Sequence, residues 1–283
     1  MTRMAAIFVL GLLVAAGAAR ADAIEDFYKG KTITVVVGSP AGGIYDVYSR
    51  LIAKHMRAKI PGNPVIIAQN MPSSGSITAV NHVYNVAPQD GTTIGAPSST
   101  AAIQPMFGIE EAKFDPLKIV WLGSPTSEVG VVVMWSTVPV NSIEDAKKRE
   151  VIMGSNGPNG NSGFYAKVIN DVFKTKIKLV YGYPGLNESF FAMQQGEVEG
   201  YASAFWNQLQ NTQGDLIREK KIKFIMQYGK APHPGLAGVA FANDVPTQTQ
   251  EDRQVFNASI LPLVLGYPYI MGPGVPADRR AAI

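Results

Sequence analysis

The sequence predicts an α/β protein of two domains, and three observations support this fold class. Strand and helix patterns alternate along the chain, which is typical of mostly parallel sheets covered by helices. The chain has 283 residues, a length that commonly divides into two domains. A strand, a glycine-rich loop and a helix follow one another twice, at 32–59 and again at 150–173. Each half of the chain is therefore expected to contribute one such unit.

The first unit begins with a β-branched run. Ile33 to Val37 predicts a buried strand, and the loop from Gly38 to Gly43 follows it. An amphipathic helix pattern comes next. Its apolar stripe consists of Ile44, Val47, Tyr48, Leu51, Ile52 and Met56. Because the first N–H groups of a helix lack intrahelical partners and the helix dipole favours negative charge there, this loop predicts an anion site.

The remaining elements follow in the same alternating order. Strands are expected at 65–68, 92–96, 119–123, 129–135, 150–154, 179–181, 196–202 and 223–227, and helices at 77–86, 101–107, 164–173 and 189–195. Ser142 suits the N-cap of a further short helix, because acids follow in its first turn. A second glycine-rich loop, Ser155 to Gly163, precedes the helix at 164–173. The sequence thus predicts two anion-binding loops, one in each half.

The first residues predict a targeting signal. Arg3 supplies a short positive region, residues 5–17 are apolar, and Ala19-Arg20-Ala21 has the small-x-small pattern of a cleavage site. The apolar run is too short to span a bilayer. Cleavage after Ala21 and cleavage after Ala23 both fit the pattern. We therefore expect residues 1–21 to be a signal peptide and the mature protein to be exported.

Composition excludes several classes of function. The chain has no cysteine, which removes disulfides, thiolate catalysis and cysteine-based metal sites. The whole chain carries 25 Lys and Arg against 22 Asp and Glu, and loss of residues 1–21 would leave 23 basic residues. Because the charge is nearly balanced and no basic run concentrates it, we expect no nucleic-acid partner and no membrane-surface partner.

Catalytic patterns are weak in this chain. His55, His82 and His233 are isolated and lack metal-ligand spacing, and His55 is expected to have a structural role near the apolar helix face. The sequence has neither a G-x-S-x-G elbow nor a P-loop. Glu197 and Glu199 share a face of a predicted strand and could form an acid–base pair, although a solvated strand explains them more simply. We expect no enzyme, no metal site and no cofactor.

A dinucleotide-binding enzyme is the nearest catalytic alternative. The loop from Gly38 to Gly43 follows a strand and opens a helix, but Pro40 stands where the dinucleotide fingerprint needs glycine. Gln69 and Asn70 stand where an acid would bind the ribose. The main interpretation is instead a binding protein whose two loops hold a single carboxylate with neutral donors. Two ordinary turns between strand and helix would explain the same pattern without a ligand.

Several motifs resemble the solute-binding proteins of tripartite tricarboxylate transporters, the Bug or TctC type. The first is Pro40-Ala-Gly-Gly-Ile-Tyr-Asp46, and the second is Asn70-Met-Pro-Ser-Ser-Gly75. Further similar segments are Ala87 to Gly95, Ser155 to Gly163, Tyr183-Pro-Gly185 through Gly196-Glu-Val-Glu199, and Asp244-Val-Pro-Thr247. No single motif is decisive, but their order and spacing together are specific. The resemblance extends over essentially the whole mature chain.

The resemblance implies a two-lobed periplasmic-binding-protein type 2 fold, or Venus flytrap. It implies residues 22–124 plus 230–283 in lobe 1 and residues 125–229 in lobe 2, with hinges near 123–126 and 228–231. One ligand carboxylate would be gripped between the lobes. The implied ligand-binding residues are Ala41, Gly42, Gly43, Asp46, Ser98, Ser99, Thr100, Ser155, Asn156, Gly160, Asn161, Ser162, Ser203 and Trp206.

Asp46 is expected to support the site rather than to contact the ligand. A carboxylate beside an anion site would repel the ligand, whereas an acid in the first turn of a helix can accept loop N–H groups or order water. Ile44 and Tyr45 replace the small residues that are usual before this aspartate, which narrows the mouth of the cleft.

Other departures concern the far end of the ligand and the end of the chain. No acid stands near Ser203, which weakens the case for an amino-acid ligand. Tyr201 and Trp206 could stack on an aromatic or apolar tail, or belong to the core. Pro276 favours a helix start, but the sequence stops at Ile283, so we expect the C-terminal helices to be truncated.

The resemblance therefore implies a monomeric periplasmic binding protein. It would capture a small organic carboxylate and deliver it to the membrane subunits of a tripartite tricarboxylate-type transporter. A sensory protein that presents its ligand to a receptor kinase is the first alternative, and an enzyme linked to NAD is the second.

Overall fold

Two five-stranded sheets organise residues 23–283, which a computed structural model describes. The predicted signal peptide at 1–21 lies outside the described residues. The strands are β1 (Thr32–Val37), β2 (Val65–Asn70), β3 (Thr93–Ala96), β4 (Val120–Gly123), β5 (Gly130–Trp135), β6 (Val151–Ser155), β7 (Ile177–Tyr181), β8 (Gly200–Phe205), β9 (Ile222–Tyr228) and β10 (Tyr269–Met271).

Helices cover both sheets. The α-helices are α1 (Ile44–Met56), α2 (Ile77–Asn85), α3 (Ile143–Lys148), α4 (Asn161–Phe173), α5 (Leu186–Gln195), α6 (Trp206–Thr212), α7 (Gly214–Arg218), α8 (Gln250–Ile260) and α9 (Ala277–Ala282). A further helical segment occupies residues 23–28. Among the described residues, no helix is long and apolar enough to cross a membrane.

The first sheet has the order β2-β1-β3-β10-β4. Its strands β1, β2 and β3 are parallel, and β10 is antiparallel to both of its neighbours. The loops that follow β1 and β3 therefore leave the same edge of the sheet. This edge carries the first glycine-rich loop, 38–43, and the hydroxyl-rich segment 98–100.

The second sheet repeats this arrangement with the order β7-β6-β8-β5-β9. Strand β6 is parallel to β7 and β8, whereas β5 is antiparallel to β8 and β9. The loop after β6 is the second glycine-rich loop, and it leads directly into α4. The predicted strand at 196–202 begins later, at Gly200, because Gly196 ends α5 in a left-handed conformation with φ +77°.

The buried face of helix α1 is rotated from the predicted apolar stripe but overlaps it, since Ile44, Tyr48, Ile52 and Met56 are partly buried against the cores. Val47 and Leu51 are 52% and 50% exposed, whereas Asp46, Ser49 and Ala53 are buried. The polar residues on the buried face have partners there, since Ser49 Oγ donates to the carbonyl of Tyr45 at 2.7 Å. His55 is also exposed, so the structural role expected for it is not seen.

The segment between the sheets joins the two halves of the molecule. Helix α8 packs on α4, where the rings of Phe173 and Phe256 lie 5.0 Å apart. Tyr267 follows this helix and meets Tyr45 and Tyr48 of α1, with ring centroids 5.0 Å and 4.5 Å away. The boundaries expected for the two lobes stay a prediction. Residues 250–260, which were expected in lobe 1, contact the helix that covers the second sheet.

Candidate functional site

A cleft of about 380 Å³ lies between the two sheets. Its size is suitable for a small organic molecule. Residues from both halves line it, and they comprise Gly38, Ser39, Pro40, Gly43, Ile44, Tyr45, Pro72, Ser73, Gly75, Ser76, Ser98, Asn156, Gly160, Asn161, Pro184, Gly185, Leu186, Tyr201, Ser203, Phe205 and Gln208. No Lys, Arg, His, Asp or Glu is among them. The cleft is therefore walled by neutral groups.

Two helices of equal length begin at this cleft. Helix α1 starts after Gly43, with φ −70° and ψ 163°, and α4 starts after Gly160, with φ −74° and ψ 163°. Neither N-cap glycine has a side chain to accept from the first-turn N–H groups. Because these groups lack intrahelical acceptors, both helix ends offer backbone donors and positive dipole ends to an occupant of the cleft.

Asp46 stabilises the first loop through hydrogen bonds. Its carboxylate accepts from Gly42 N at 2.9 Å, from Arg50 Nε at 2.9 Å and from Asn70 Nδ2 at 2.9 Å. Burial alone would raise the pKa of Asp46, but these hydrogen bonds outweigh it and hold the pKa below its ordinary value of 3.8. Asp46 is expected to accept loop N–H groups rather than to contact the ligand. The hydrogen bond from Gly42 N agrees with this role, and Asp46 does not line the cleft.

The second loop is held by its own side chains. Ser162 Oγ lies 3.1 Å from Ser155 Oγ, accepts from Asn156 N at 3.1 Å and donates to Asn156 Oδ1 at 2.7 Å. Ser155 and Ser162 are both fully buried. Their hydroxyls therefore shape the loop and do not face the cleft, whereas Asn156, Gly160 and Asn161 do line it.

Asn161 connects the two halves across the cleft. Its Oδ1 accepts from Ser98 Oγ at 2.6 Å and from Thr100 Oγ1 at 2.9 Å. Its Nδ2 donates to Tyr45 OH at 3.4 Å. Nearby, Gln104 Nε2 donates to the carbonyl oxygens of Gly75 and Asn159, at 2.8 Å and 3.3 Å. The hydroxyls of Ser98 and Thr100 are thus already used by the second half of the chain.

The far wall of the cleft is mostly apolar. Leu186, Tyr201 and Phe205 are 7%, 5% and 3% exposed. Ser203 is 5% exposed as well, and its Oγ has no hydrogen-bond partner among the described residues. A buried hydroxyl without a partner costs free energy, so this one is a candidate donor to a bound molecule.

Trp206 lies outside this cleft. Its ring contacts Phe224 and His233, with centroids 5.5 Å and 6.0 Å away, and it lines a second cavity of about 420 Å³. Successive side chains of an extended strand point to opposite sides. Phe205, the last residue of β8, faces the cleft, so the side chain of Trp206 points away from it. Ala41, Gly42, Ser99 and Thr100 also do not line the cleft.

Sequence reasoning missed several residues that do line it. Ser73 and Ser76 come from the turn after β2, where Ser76 Oγ donates to the carbonyl of Gly38 and accepts from Ser98 N. Four small polar residues between a strand and a helix signal this turn in the sequence. Gln208 and Leu186 lie on helices of the second half, and no sequence pattern marks them as cleft residues.

The possible catalytic groups are dispersed. Glu199 pairs with Arg149 at 2.5 Å and accepts from Ile152 N, whereas Glu197 accepts from Tyr183 OH. Neither glutamate lines the cleft. Within residues 23–283, no group of His, Cys, Asp and Glu side chains could hold a metal ion. Asn70 stands where a dinucleotide-binding protein would have its ribose-binding acid. Here its side chain donates to Ser39 O and Asp46 Oδ1 and so stabilises the first loop.

Sequence comparison finds similar curated proteins over part of the chain. Protein BugT of Bordetella pertussis is 30% identical over 132 residues, which cover 47% of this chain and 38% of BugT. A UPF0065 protein of the same organism is 39% identical over 94 residues, which cover 33% of this chain and 27% of that protein. The matched region therefore spans less than half the length of either relative. No protein-family model matches the chain.

Structural comparison extends over almost all of the chain. The periplasmic binding protein BugD matches with a TM-score of 0.66 and 14% identity, covering 90% of this chain and 81% of BugD. An R. palustris protein with adipate matches with a TM-score of 0.67 and 16% identity, covering 89% of this chain and 80% of that protein. MatC from Rhodopseudomonas palustris with bound malate matches with a TM-score of 0.65 and 18% identity, covering 89% of this chain and 81% of MatC.

The fold is that of a two-lobed periplasmic solute-binding protein, as the sequence predicts. The resemblance to Bug/TctC-type receptors is confirmed by the partial sequence matches to BugT and the UPF0065 protein, and the chain shares the fold of BugD. BugD and a TctC solute-binding protein from Polaromonas, which matches with a TM-score of 0.55 and 17% identity over 90% of this chain and 88% of that protein, are both binding proteins by name.

Proposed function

We propose that this protein is a periplasmic receptor that holds a small organic carboxylate in the cleft and delivers it to a tripartite tricarboxylate-type membrane transporter. The observation that carries the proposal is the pair of uncapped helix N-termini, at Gly43 and Gly160, which open onto one cleft from opposite halves. Export through cleavage of residues 1–21 belongs to the same proposal. The binding of adipate and malate by proteins of the same fold supports the choice of ligand class.

The chemistry of the cleft suits reversible capture. First-turn N–H groups of α1 and α4 would donate to the carboxylate oxygens, and the hydroxyl of Ser203 would donate further along the ligand. Because no cation lines the cleft, the ligand would be held by dipoles and hydrogen bonds. Closure of the two lobes about the segments near 123–126 and 228–231 would bury it.

Binding to carboxylates is the first test. We expect at least one member of a panel of mono-, di- and tricarboxylates, aromatic acids and amino acids to stabilise the purified protein. A ligand at a hundred times its Kd should add about 2.7 kcal/mol to the free energy of unfolding. Thermal denaturation with and without each acid measures this. The proposal would be contradicted if no carboxylate raised the melting temperature of a well-folded sample.

A pair of substitutions at Gly43 tests the site itself. The backbone there, with φ −70°, accepts any residue, and an added Cβ would lie 3.2 Å from the carbonyl of Pro40. Gly43→Asp places a negative charge at the end of α1, where it caps the helix and repels an anion. Gly43→Asn is the matched control, because it also caps the helix but is neutral.

We expect Gly43→Asp to weaken carboxylate binding by a factor on the order of ten or more relative to Gly43→Asn, since the two differ only in charge. Isothermal titration calorimetry measures both affinities. Equal affinities of the two variants would remove this helix end from the site.

A further inference from the structure

Three further helices begin at the cleft, since Ser76, Gly185 and Phe205 line it and precede α2, α5 and α6. Of these three, only α5 carries an acid in its first turn. Gly185 and Leu186, at the N-terminus of α5, line the far end. The first turn of α5 carries Glu188, and a Cβ placed on Gly185 would lie 3.2 Å from Glu188 Oε2. A carboxylate in this position offsets the positive end of the helix dipole. The N-terminus of α5 therefore attracts a negative charge less strongly than that of α4, which has no acid in its first turn.

The charge of Glu188 is not offset by a neighbour, unlike that of Asp46. Asp46 pairs with Arg50 at 2.9 Å, whereas no salt bridge within residues 23–283 involves Glu188. Glu188 is exposed and does not itself line the cleft, and its charge acts on the cleft wall at Tyr201. Burial raises the pKa of Tyr201 to about 12, a hydrogen bond from Ser162 opposes the shift, and the negative charge of Glu188 adds to it.

Much of the cleft lining is apolar, and its polar side chains, such as Ser73, Ser203 and Gln208, are neutral. Pro72, Pro184, Leu186, Tyr201 and Phe205 line the cleft, and Leu186, Tyr201 and Phe205 are each less than 10% exposed. A second carboxylate at this end would lose its hydration without gaining a cation, and it would approach Glu188. Ser203 Oγ, buried and without a partner among the described residues, could still bond a hydroxyl or carbonyl group of a ligand.

We propose that the cleft selects monocarboxylates with an apolar body, and that Glu188 is the residue that disfavours a second carboxylate. This inference rests on the proposed function, because it assumes that one carboxylate occupies the ends of α1 and α4. It separates this chain from the proteins of the same fold that hold adipate and malate, each of which has two carboxylates.

Matched pairs of acids test the selectivity. Hexanoate and adipate, butyrate and succinate, and benzoate and terephthalate differ within each pair by one terminal carboxylate. We expect the tightest-binding monocarboxylate to bind about ten-fold more tightly than its partner in calorimetry at pH 7.5 and low salt. A dicarboxylate that binds as tightly as its partner, or more tightly, would overturn the selectivity and leave the proposed function standing. If no acid of any class binds, both proposals fail.

Removing one charge tests the role of Glu188. In Glu188→Gln we expect the affinity for the dicarboxylate to rise about three-fold or more, while that for the monocarboxylate changes less than two-fold. Glu251→Gln is the matched control, because Glu251 also lies exposed in the first turn of a helix, α8, but no residue of α8 lines the cleft. The control should leave both affinities unchanged. If the ratio of monocarboxylate to dicarboxylate affinity is the same in Glu188→Gln and Glu251→Gln, Glu188 does not determine the selectivity.

Discussion

Asp46 illustrates what a single residue contributes beneath an anion-binding loop. It is 2% exposed, and its oxygens accept from the backbone of Gly42 and from the side chains of Arg50 and Asn70. Its supporting role could be predicted from its position in the first turn of α1. Its partner Arg50 lies one helical turn away, at a spacing that the sequence shows. Its partner Asn70 could not be predicted, because Asn70 ends the neighbouring strand and only the register of β1 against β2 brings it there.

The depressed pKa of Asp46 gives a prediction of pH dependence. A carboxyl whose folded pKa lies below its ordinary 3.8 stabilises the folded state above that pH, and this contribution is lost as the pH falls through 3.8 and below. We expect Asp46→Asn to lower the free energy of unfolding at pH 7 by about 2 kcal/mol, because donors would then face an amide group.

Urea denaturation of both proteins at pH 7, 5 and 3 measures this difference, which should shrink only at the lowest pH. Asp171→Asn, at an exposed position on α4, is the control and should change stability little at any pH. A difference that is the same at pH 7 and pH 3 would show that the charge of Asp46 is not what stabilises the loop.

At the scale of elements, α4 shows where the sequence pattern is incomplete. The apolar spacing predicts a helix from 164, but the helix begins at Asn161. Asn161, Ser162 and Gly163 are poor helix formers, so propensity hides this first turn. The turn forms because Ser162 bonds to Asn156 and because Gly163 lets the backbone of Gly157 approach closely.

Gly163 therefore provides a test of this element. Alanine usually stabilises a helix relative to glycine by about 1 kcal/mol. A Cβ on Gly163, however, would lie 2.1 Å from the carbonyl oxygen of Gly157, a backbone atom that can move only with the loop. We expect Gly163→Ala to lower the free energy of unfolding by about 1–3 kcal/mol and to weaken carboxylate binding.

Gly214→Ala is the matched control, since Gly214 is also a helical glycine and its Cβ would meet only the mobile end of Arg218, at 3.3 Å. It should be neutral or stabilising in the same urea denaturation experiment. If Gly163→Ala is as stable as this control, the packing inferred for the second loop is wrong.

At the scale of the whole molecule, one of the contacts between the halves depends on a glycine. A Cβ on Gly75 would lie 1.9 Å from Gln104 Nε2 and 2.4 Å from the carbonyl oxygen of Asn159, which belongs to the other half. The rings of Phe107 and Phe164 also meet across this boundary, with centroids 5.1 Å apart. The described arrangement thus requires that position 75 carry no side chain.

We expect Gly75→Ala to shift the protein towards a more open arrangement and to weaken ligand binding by a factor on the order of ten, because closure would have to push Asn159 away. Small-angle scattering without ligand should give a larger radius of gyration. Gly108→Ala is the control, because Gly108 has almost the same φ, +67° against +66°, and an added Cβ would meet nothing within 4 Å. Equal radii and affinities for the two variants would contradict this role.

The overall architecture could be predicted further than the site could. Alternating patterns and two glycine-rich loops were sufficient for the α/β class, and the motifs from Pro40 onward pointed to the two-lobed fold. The orientation of Trp206 and the burial of Ser155 and Ser162 inside their own loop could not be read from local patterns. They depend on tertiary packing, which decides which side of a loop faces the cleft.

The amide of Asn161 has a consequence for how strongly any cargo is retained. Its oxygen accepts from Thr100 and from Ser98, and the hydroxyl of Ser98 lines the cleft, where an incoming acid could otherwise use it. Under the proposed function, the acid and this side chain are rivals for the same donors. The measured affinity is then the free-energy difference between hydrogen bonds to the acid and hydrogen bonds to Asn161. When the acid leaves, the side chain of Asn161 accepts these hydrogen bonds again. Under the same proposal, this competition would ease release of the acid at the transporter.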